Sequence, residues 1–162
     1  MNTQNPKHLD GDGISFLKQF ENCKLKPYLD IGNIPTIGWG NTLYEDGKHV
    51  TMMDESITQE RADALFLNIV RGFEQAVYQK VQSLLNQCQF NALVSFCYNE
   101  GITCLADSNL LKRVNINPSD SAIQFEFAKY DKFTDKLTGI KKKCDGLLER
   151  RIKEANMYYG KF

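Results

Sequence analysis

Apolar residues recur at positions 62, 65, 66, 69, 70, 73, 76, 77, 81, 84 and 85, the three-and-four spacing of one amphipathic helix face. Thr58, followed by Gln59 and Glu60, supplies a start, with acidic charge in the first turn where the helix dipole favours it. The pattern predicts a helix over about 58–80. Gly72 lies inside it, costs about 1 kcal/mol relative to alanine and marks a candidate bend. In a chain of 162 residues one core and one compact unit are the expectation. On pattern alone this is an ordinary core helix.

The chain before it is organised differently. Residues 13–21 read as a short helix, started by Asp10 or Asp12 beside glycines. Ile14, Phe16, Leu17 and Phe20 fall on one arc, and Glu21 falls on the same arc. Burial and the negative end of the helix dipole both disfavour a charged carboxylate there, which suits a general acid. The competing reading is a helix that ends before Glu21 and leaves it solvated. Lys26–Asp30 and Ile34–Gly38 then form two short strands joined across Ile31-Gly32-Asn33. Asp30 enters the turn, where aspartate commonly bonds its own backbone, and Thr36 suits any strand. The hairpin returns Thr36 towards Asp30, and the link from Glu21 is short. Two carboxylates in unlike surroundings are what glycoside hydrolysis requires, one protonated to donate and one ionised to activate water.

The pattern Glu-x8-Asp-x5-Thr, with Leu25-Lys26-Pro27-Tyr28 between the acids and Thr36-Ile37-Gly38-Trp39-Gly40 at its end, resembles the phage-type lysozymes (endolysins) of glycoside hydrolase family 24. Gln89-Phe90-Asn91-Ala92-Leu93-Val94-Ser95-Phe96-Cys97-Tyr98-Asn99-Glu100-Gly101 is similar to a second segment of that family. Ser108-Asn109-Leu110-Leu111 and Gly146-Leu147-Leu148-Glu149-Arg150-Arg151 match further landmarks in the right order. The resemblance implies an α+β, mostly α, lysozyme-like fold of two lobes. A small β-hairpin lobe would span about 12–57, a connecting helix about 58–80 and a helical lobe about 81–162.

The resemblance also implies a muramidase that cuts the β-1,4 bond between N-acetylmuramic acid and N-acetylglucosamine in peptidoglycan. Glu21 would be its acid, Asp30 its base, and Thr36 would help Asp30 hold the attacking water, with inversion as the outcome. Tyr98 and Asn99 would lie on the cleft wall, with Ser108 a further substrate contact. Capping accounts for Asn99 and Ser108 as readily. In relatives an arginine of the final helix reaches behind the catalytic glutamate, and either Arg150 or Arg151 would do so here. One position departs from the family: histidine usually follows the second glycine of the hairpin motif, and Asn41 stands there instead, removing a potential local charge pairing.

Basic and acidic residues balance at 20 each. No whole-molecule field therefore points to nucleic acid or membrane, and none aids approach to an anionic wall unless charge is unevenly distributed. There is no apolar run of eighteen residues, and Met1 to Leu9 is polar, so neither a membrane span nor a secretory signal is expected. Cys23, Cys88, Cys97, Cys104 and Cys144 form an odd set without CxxC spacing, two of them in an apolar helical stretch, which favours reduced thiols. His8 and His49 are too few for a histidine-rich metal site. The expectation is a monomer with no metal or organic cofactor and no nucleic-acid or membrane partner. It would be made in the cytoplasm and act on peptidoglycan in the periplasm after holin-assisted release. A secreted antibacterial effector, or a wall-binding module of this fold without activity, are the alternatives.

Elsewhere, Trp39 to Val50 reads as a third short strand and a loop, with Trp39 either lining the cleft or filling the small lobe. Asn86 caps a helix that ends at Gly101, and Ser108 caps one over Asn109 to Val114. Asn117-Pro118-Ser119-Asp120 leads into Ala122 to Ala128, and Asp145 or Gly146 opens a last helix to about Tyr159. Lys129 to Lys143 breaks the periodicity. Its Lys141-Lys142-Lys143 run reads as a solvated face that could attract anionic wall polymer.

Overall fold

The computed structural model describes residues 5–30, 32–134 and 138–161. Helices dominate, and the strands form two separate antiparallel pairs. The chain divides into two compact units, Ile14–Gly72 and Met1–Gly13 with Phe73–Phe162. The divisions fall inside helix α1 (Gly11–Lys18) and helix α2 (Gln59–Lys80).

Helix α1 both begins and ends earlier than the spacing predicts. Asp10 Oδ1 accepts from the Gly13 amide at 2.9 Å and caps the start. The end tightens into three-residue bonds, Phe20 N–H to Leu17 O at 3.1 Å and Glu21 N–H to Lys18 O at 3.2 Å. The apolar arc runs on through Phe20, but the backbone no longer follows it.

In the Ile14–Gly72 unit, β1 (Lys24–Leu29) pairs with β2 (Pro35–Gly38). Tyr28 stands opposite Thr36 and Leu29 opposite Pro35, with a register irregularity between Lys24 and Tyr28. Pro35, which has no amide to give, sits at the ladder end. Asn33 takes the left-handed conformation (φ 60°), which asparagine tolerates better than most residues. The expected third strand is replaced by two isolated bridges, Ile37 with Asn41 and Leu43 with His49. Gly38 (φ 63°) and Gly40 (φ 96°) turn the chain too sharply there for a continuous ladder. Ile37, Val50 and Leu65 form a small core, with Tyr44 and Ile57 packed against it. Asn41 is 1% exposed and its Nδ2 donates to Leu65 O at 3.1 Å, which ties the loop to α2.

In the other unit α3 (Gln87–Glu100) is buried without a break from Gln89 to Cys97. Asn86 and Gln89 close a reciprocal capping box at 2.9 and 3.0 Å, and Gly101 (φ 95°) ends the helix. The other helices of this unit are α4 (Ile102–Asp107), α5 (Asn109–Ile116), α6 (Ile123–Ala128) and α7 (Asp145–Tyr158), of which α7 packs most extensively on α3. Phe96 meets Tyr130 and Phe127 edge to face at 4.8 and 5.8 Å, and Phe127 meets Tyr158 at 5.9 Å. The aperiodic Lys129–Lys143 stretch holds a further strand pair, β3 (Lys132–Thr134) with β4 (Lys141–Lys143). All five cysteines are free thiols, Cys97 fully buried. Among the described residues no helix is long and apolar enough to cross a membrane.

Candidate active site

Glu21 lies three residues beyond the end of α1, its amide held by Lys18 O. The helix thus ends before it, and the residue is partly buried. Asp30 closes the β1–β2 turn. Its amide donates to Ile34 O and its carbonyl accepts from Asn33, both at 3.0 Å. Its Oδ1 accepts from the amides of Gly32 at 2.7 Å and Ile34 at 2.9 Å, bonds that Oδ2 does not share. Thr36 is 2% exposed, and its Oγ1 donates to Ile34 O at 2.9 Å. That bond uses the only hydroxyl proton, so the oxygen is left as an acceptor.

Tyr28 joins these three. Lys24 Nζ stands 4.0 Å over its ring centre. Its phenol is pushed above the usual tyrosine range by burial, and then by the negative charges of Asp30, Glu21 and Cys23. The charges of both carboxylates thus reach one phenol, on a residue whose backbone pairs with Thr36 in the same unit. The sequence pattern gives Tyr28 no role. The signal that finds it is the hairpin register, which sets it across from Thr36.

Trp39 is half-buried beside this hairpin. Its indole donates to Asp63 Oδ1 at 2.7 Å, and its rings tilt on Phe66 at 5.9 Å. Lys18 lies 2.8 Å from Asp63 and 4.9 Å over Trp39. Burial pushes the Asp63 carboxyl up, but bonds from Lys18, Trp39 and Gln59 together hold it below the usual range.

Tyr98, Asn99 and Ser108 belong to the other unit. Tyr98 stacks at a tilt on Phe73 at 5.2 Å. Asn99 is exposed, and its Oδ1 accepts from Arg151 Nη2 at 2.8 Å, leaving Nδ2 as its remaining polar group. Ser108 is buried, donates to Leu105 O at 2.7 Å and accepts from the Leu111 amide at 2.9 Å, so its hydroxyl is bonded within the cap of α5. Arg151 is fully buried over the Phe96 ring at 5.1 Å and bonds Glu100 at 2.9 Å. Buried Glu154 Oε1 accepts from Ser95 Oγ at 2.7 Å, Arg151 Nη2 at 3.1 Å and Arg150 Nε at 3.2 Å. Arg151 Nε lies 3.0 Å from Glu154 Oε2 as a charge contact without an aligned hydrogen bond. Burial pushes the Glu154 carboxyl up, and Arg151, Arg150 and Ser95 pull against it.

Residues 18–154 match the family model described as phage lysozyme. The chain belongs to the phage lysozyme family. The endolysin of Acyrthosiphon pisum secondary endosymbiont phage 1 is 28% identical to it over 151 residues, 93% of this chain and 97% of that one. The endolysin of Salmonella phage P22 is 35% identical over 114 residues, 70% and 77% of the two chains. Among solved structures, the endolysin from Escherichia coli O157:H7 phage FAHEc1 superposes with a TM-score of 0.86 at 36% identity, covering 96% of this chain and 95% of that one. A mutant P22 lysozyme superposes with a TM-score of 0.78 at 32% identity, covering 94% and 98%. These neighbours bear out the α+β, mostly α, lysozyme-like fold. This phage lysozyme is accordingly a glycoside hydrolase that lyses peptidoglycan.

Proposed function

We propose that this phage lysozyme cleaves the β-1,4 bond between N-acetylmuramic acid and N-acetylglucosamine with Glu21 as general acid, Asp30 as general base and Thr36 as the second holder of the attacking water. The observation that supports this reading is the hairpin turn, which engages Asp30 by Oδ1 and leaves Thr36 Oγ1 an acceptor, with Tyr28, paired with Thr36, feeling the charge of both Asp30 and Glu21. Water that gives one proton to Thr36 Oγ1 and the other to Asp30 Oδ2 turns a lone pair towards the anomeric carbon. Glu21 protonates the departing oxygen as the glycosidic C–O bond breaks. Asp30 takes a proton from the water as the new C–O bond forms on the opposite face, so the configuration inverts. Carboxyls about 6.5–9.5 Å apart accommodate such a water.

Asn99, its Oδ1 engaged by Arg151, offers Nδ2 donors to an acetamido carbonyl, and Tyr98 lies in the same helical turn. Ser108 is left out of the sugar contacts because its hydroxyl is bonded within its cap. The cellular role is host lysis by a monomer made in the cytoplasm, which reaches periplasmic wall after holin-assisted release and needs no metal or organic cofactor.

The test is loss of turbidity of outer-membrane-permeabilised Gram-negative cells, wild type against folded Glu21→Gln. Clearing that falls by about a hundredfold or more supports the acid. Equal clearing removes Glu21 from that role, and binding to purified wall without clearing by wild type favours a non-catalytic module. Proton NMR of the first-released anomer decides the stereochemistry.

A further inference from the structure

The balanced composition hides a local concentration of charge on the β3–β4 hairpin. Its register sets Lys132 opposite Lys143, Phe133 opposite Lys142 and Thr134 opposite Lys141. Opposed residues share a side of a strand pair, as do alternate residues along a strand. Lys132, Lys141 and Lys143 therefore lie on one face with Thr134, and all are exposed. Among the described residues neither Lys132 nor Lys141 has a salt-bridge partner, and Lys143 is 3.9 Å from Asp131. Like charges directly opposite weaken a strand pair, and a pair of three-residue strands is marginal already. Local stability does not account for lysines there.

A bilayer-seeking face mixes apolar side chains among its basic ones. This face has none, because Phe133 points from the other side with Lys142. Strand geometry sets the Lys141 and Lys143 backbones about 7 Å apart and Lys132 about 5 Å from Lys143, close enough for neighbouring carboxylates to bridge the ammonium groups. We propose that the face formed by Lys132, Lys141 and Lys143 docks the carboxylate-bearing stem peptides of peptidoglycan and keeps the enzyme on the polymer between cleavages. The inference rests on peptidoglycan being the substrate and not on the roles given to Glu21, Asp30 and Thr36.

The experiment is co-sedimentation with purified sacculi at 4 °C over a range of salt, comparing wild type with the triple variant Lys132→Gln, Lys141→Gln, Lys143→Gln. The glutamine variant is expected to bind about tenfold more weakly at low salt and to show a flatter salt dependence. The corresponding triple arginine variant retains binding, and amidating the wall carboxylates brings wild type down to the glutamine level. Equal binding by wild type and the glutamine variant, or indifference to amidation, overturns the proposal. So does a loss confined to phosphatidylglycerol vesicles, which assigns the face to lipid phosphate. Cleavage of glycan strands stripped of stem peptides is unchanged in the glutamine variant. Its absence in wild type counts against the catalytic reading and leaves the binding result standing.

Discussion

Tyr28 faces Thr36 across the β1–β2 ladder, and its phenol is held above the ordinary tyrosine range first by burial and then by the charges of Asp30 and Glu21. A residue that feels the charge of both carboxylates can serve as a probe of each.

The probe can be read by titration. Burial and negative neighbours disfavour tyrosinate in the folded state, so the folded value lies above the unfolded value of about 10. The stability it contributes is complete below about pH 10 and is lost as pH rises through the folded value. Asp30→Asn and Glu21→Gln should each bring the Tyr28 tyrosinate on at lower pH, with Asp30→Asn having the larger effect. Ultraviolet difference titration measures this, with Tyr28→Phe assigning the signal. An unchanged titration in both variants would separate the carboxylates from Tyr28.

Asp30 has a structural and a chemical task that two substitutions distinguish. Asn retains an Oδ1 acceptor for the Gly32 and Ile34 amides, whereas Ala loses both bonds. Asp30→Asn should unfold in urea within about 0.5 kcal/mol of wild type, and Asp30→Ala should lose about 1–2 kcal/mol. Both should lose activity by about a hundredfold or more. Full activity in Asp30→Asn would exclude a base at this position.

Two glycines should respond to alanine in opposite directions. At Gly13 a Cβ would stand 2.6 Å from Asn91 Cγ and Oδ1. Asn91 cannot easily move, because it donates to Asp10 at 2.8 Å and accepts from Gln87 at 2.9 Å. Gly13→Ala should cost about 1–3 kcal/mol. Gly72 is exposed in mid-helix with nothing within 4 Å of its added Cβ. Gly72→Ala should stabilise by about 0.5–1 kcal/mol. Equilibrium unfolding in urea reads both.

Glu154 is the shared acceptor for two buried guanidinium groups. Glu154→Ala leaves both without it and should cost about 3–5 kcal/mol, while Ser95→Ala, which removes one donor, should cost about 1 kcal/mol. Thermal unfolding measures both. A small loss in Glu154→Ala would mean that Glu100 and Asn99 suffice to hold Arg151.

Elements with a long period or a cap were legible in sequence. Helix α2 follows its apolar spacing, with Thr58 Oγ1 accepting from the Arg61 amide at 3.2 Å, and α3 lies between its Asn86 box and Gly101. The β1–β2 hairpin announced itself by its turn residues, which also place Asp30 and Thr36. Three features were not legible. The end of α1 stayed open between two readings because an apolar arc says nothing about a backbone that tightens to three-residue bonds. The β3–β4 pair has no alternation to betray it, since β4 is three lysines. Tyr28 could be placed only through register, which a turn signal alone does not fix across an irregular ladder.

Helix α3 has a consequence for how its unit is assembled. Nine consecutive residues, Gln89 to Cys97, are buried, so no side of this stretch is left to water. A fourteen-residue helix is marginal in isolation, and this one lacks the single wet face that lets an amphipathic helix rest against a partial scaffold. Its neighbours must close around it in concert. The unit should therefore refold as one cooperative event, with the amides of α3 exchanging with solvent only when the whole of it opens.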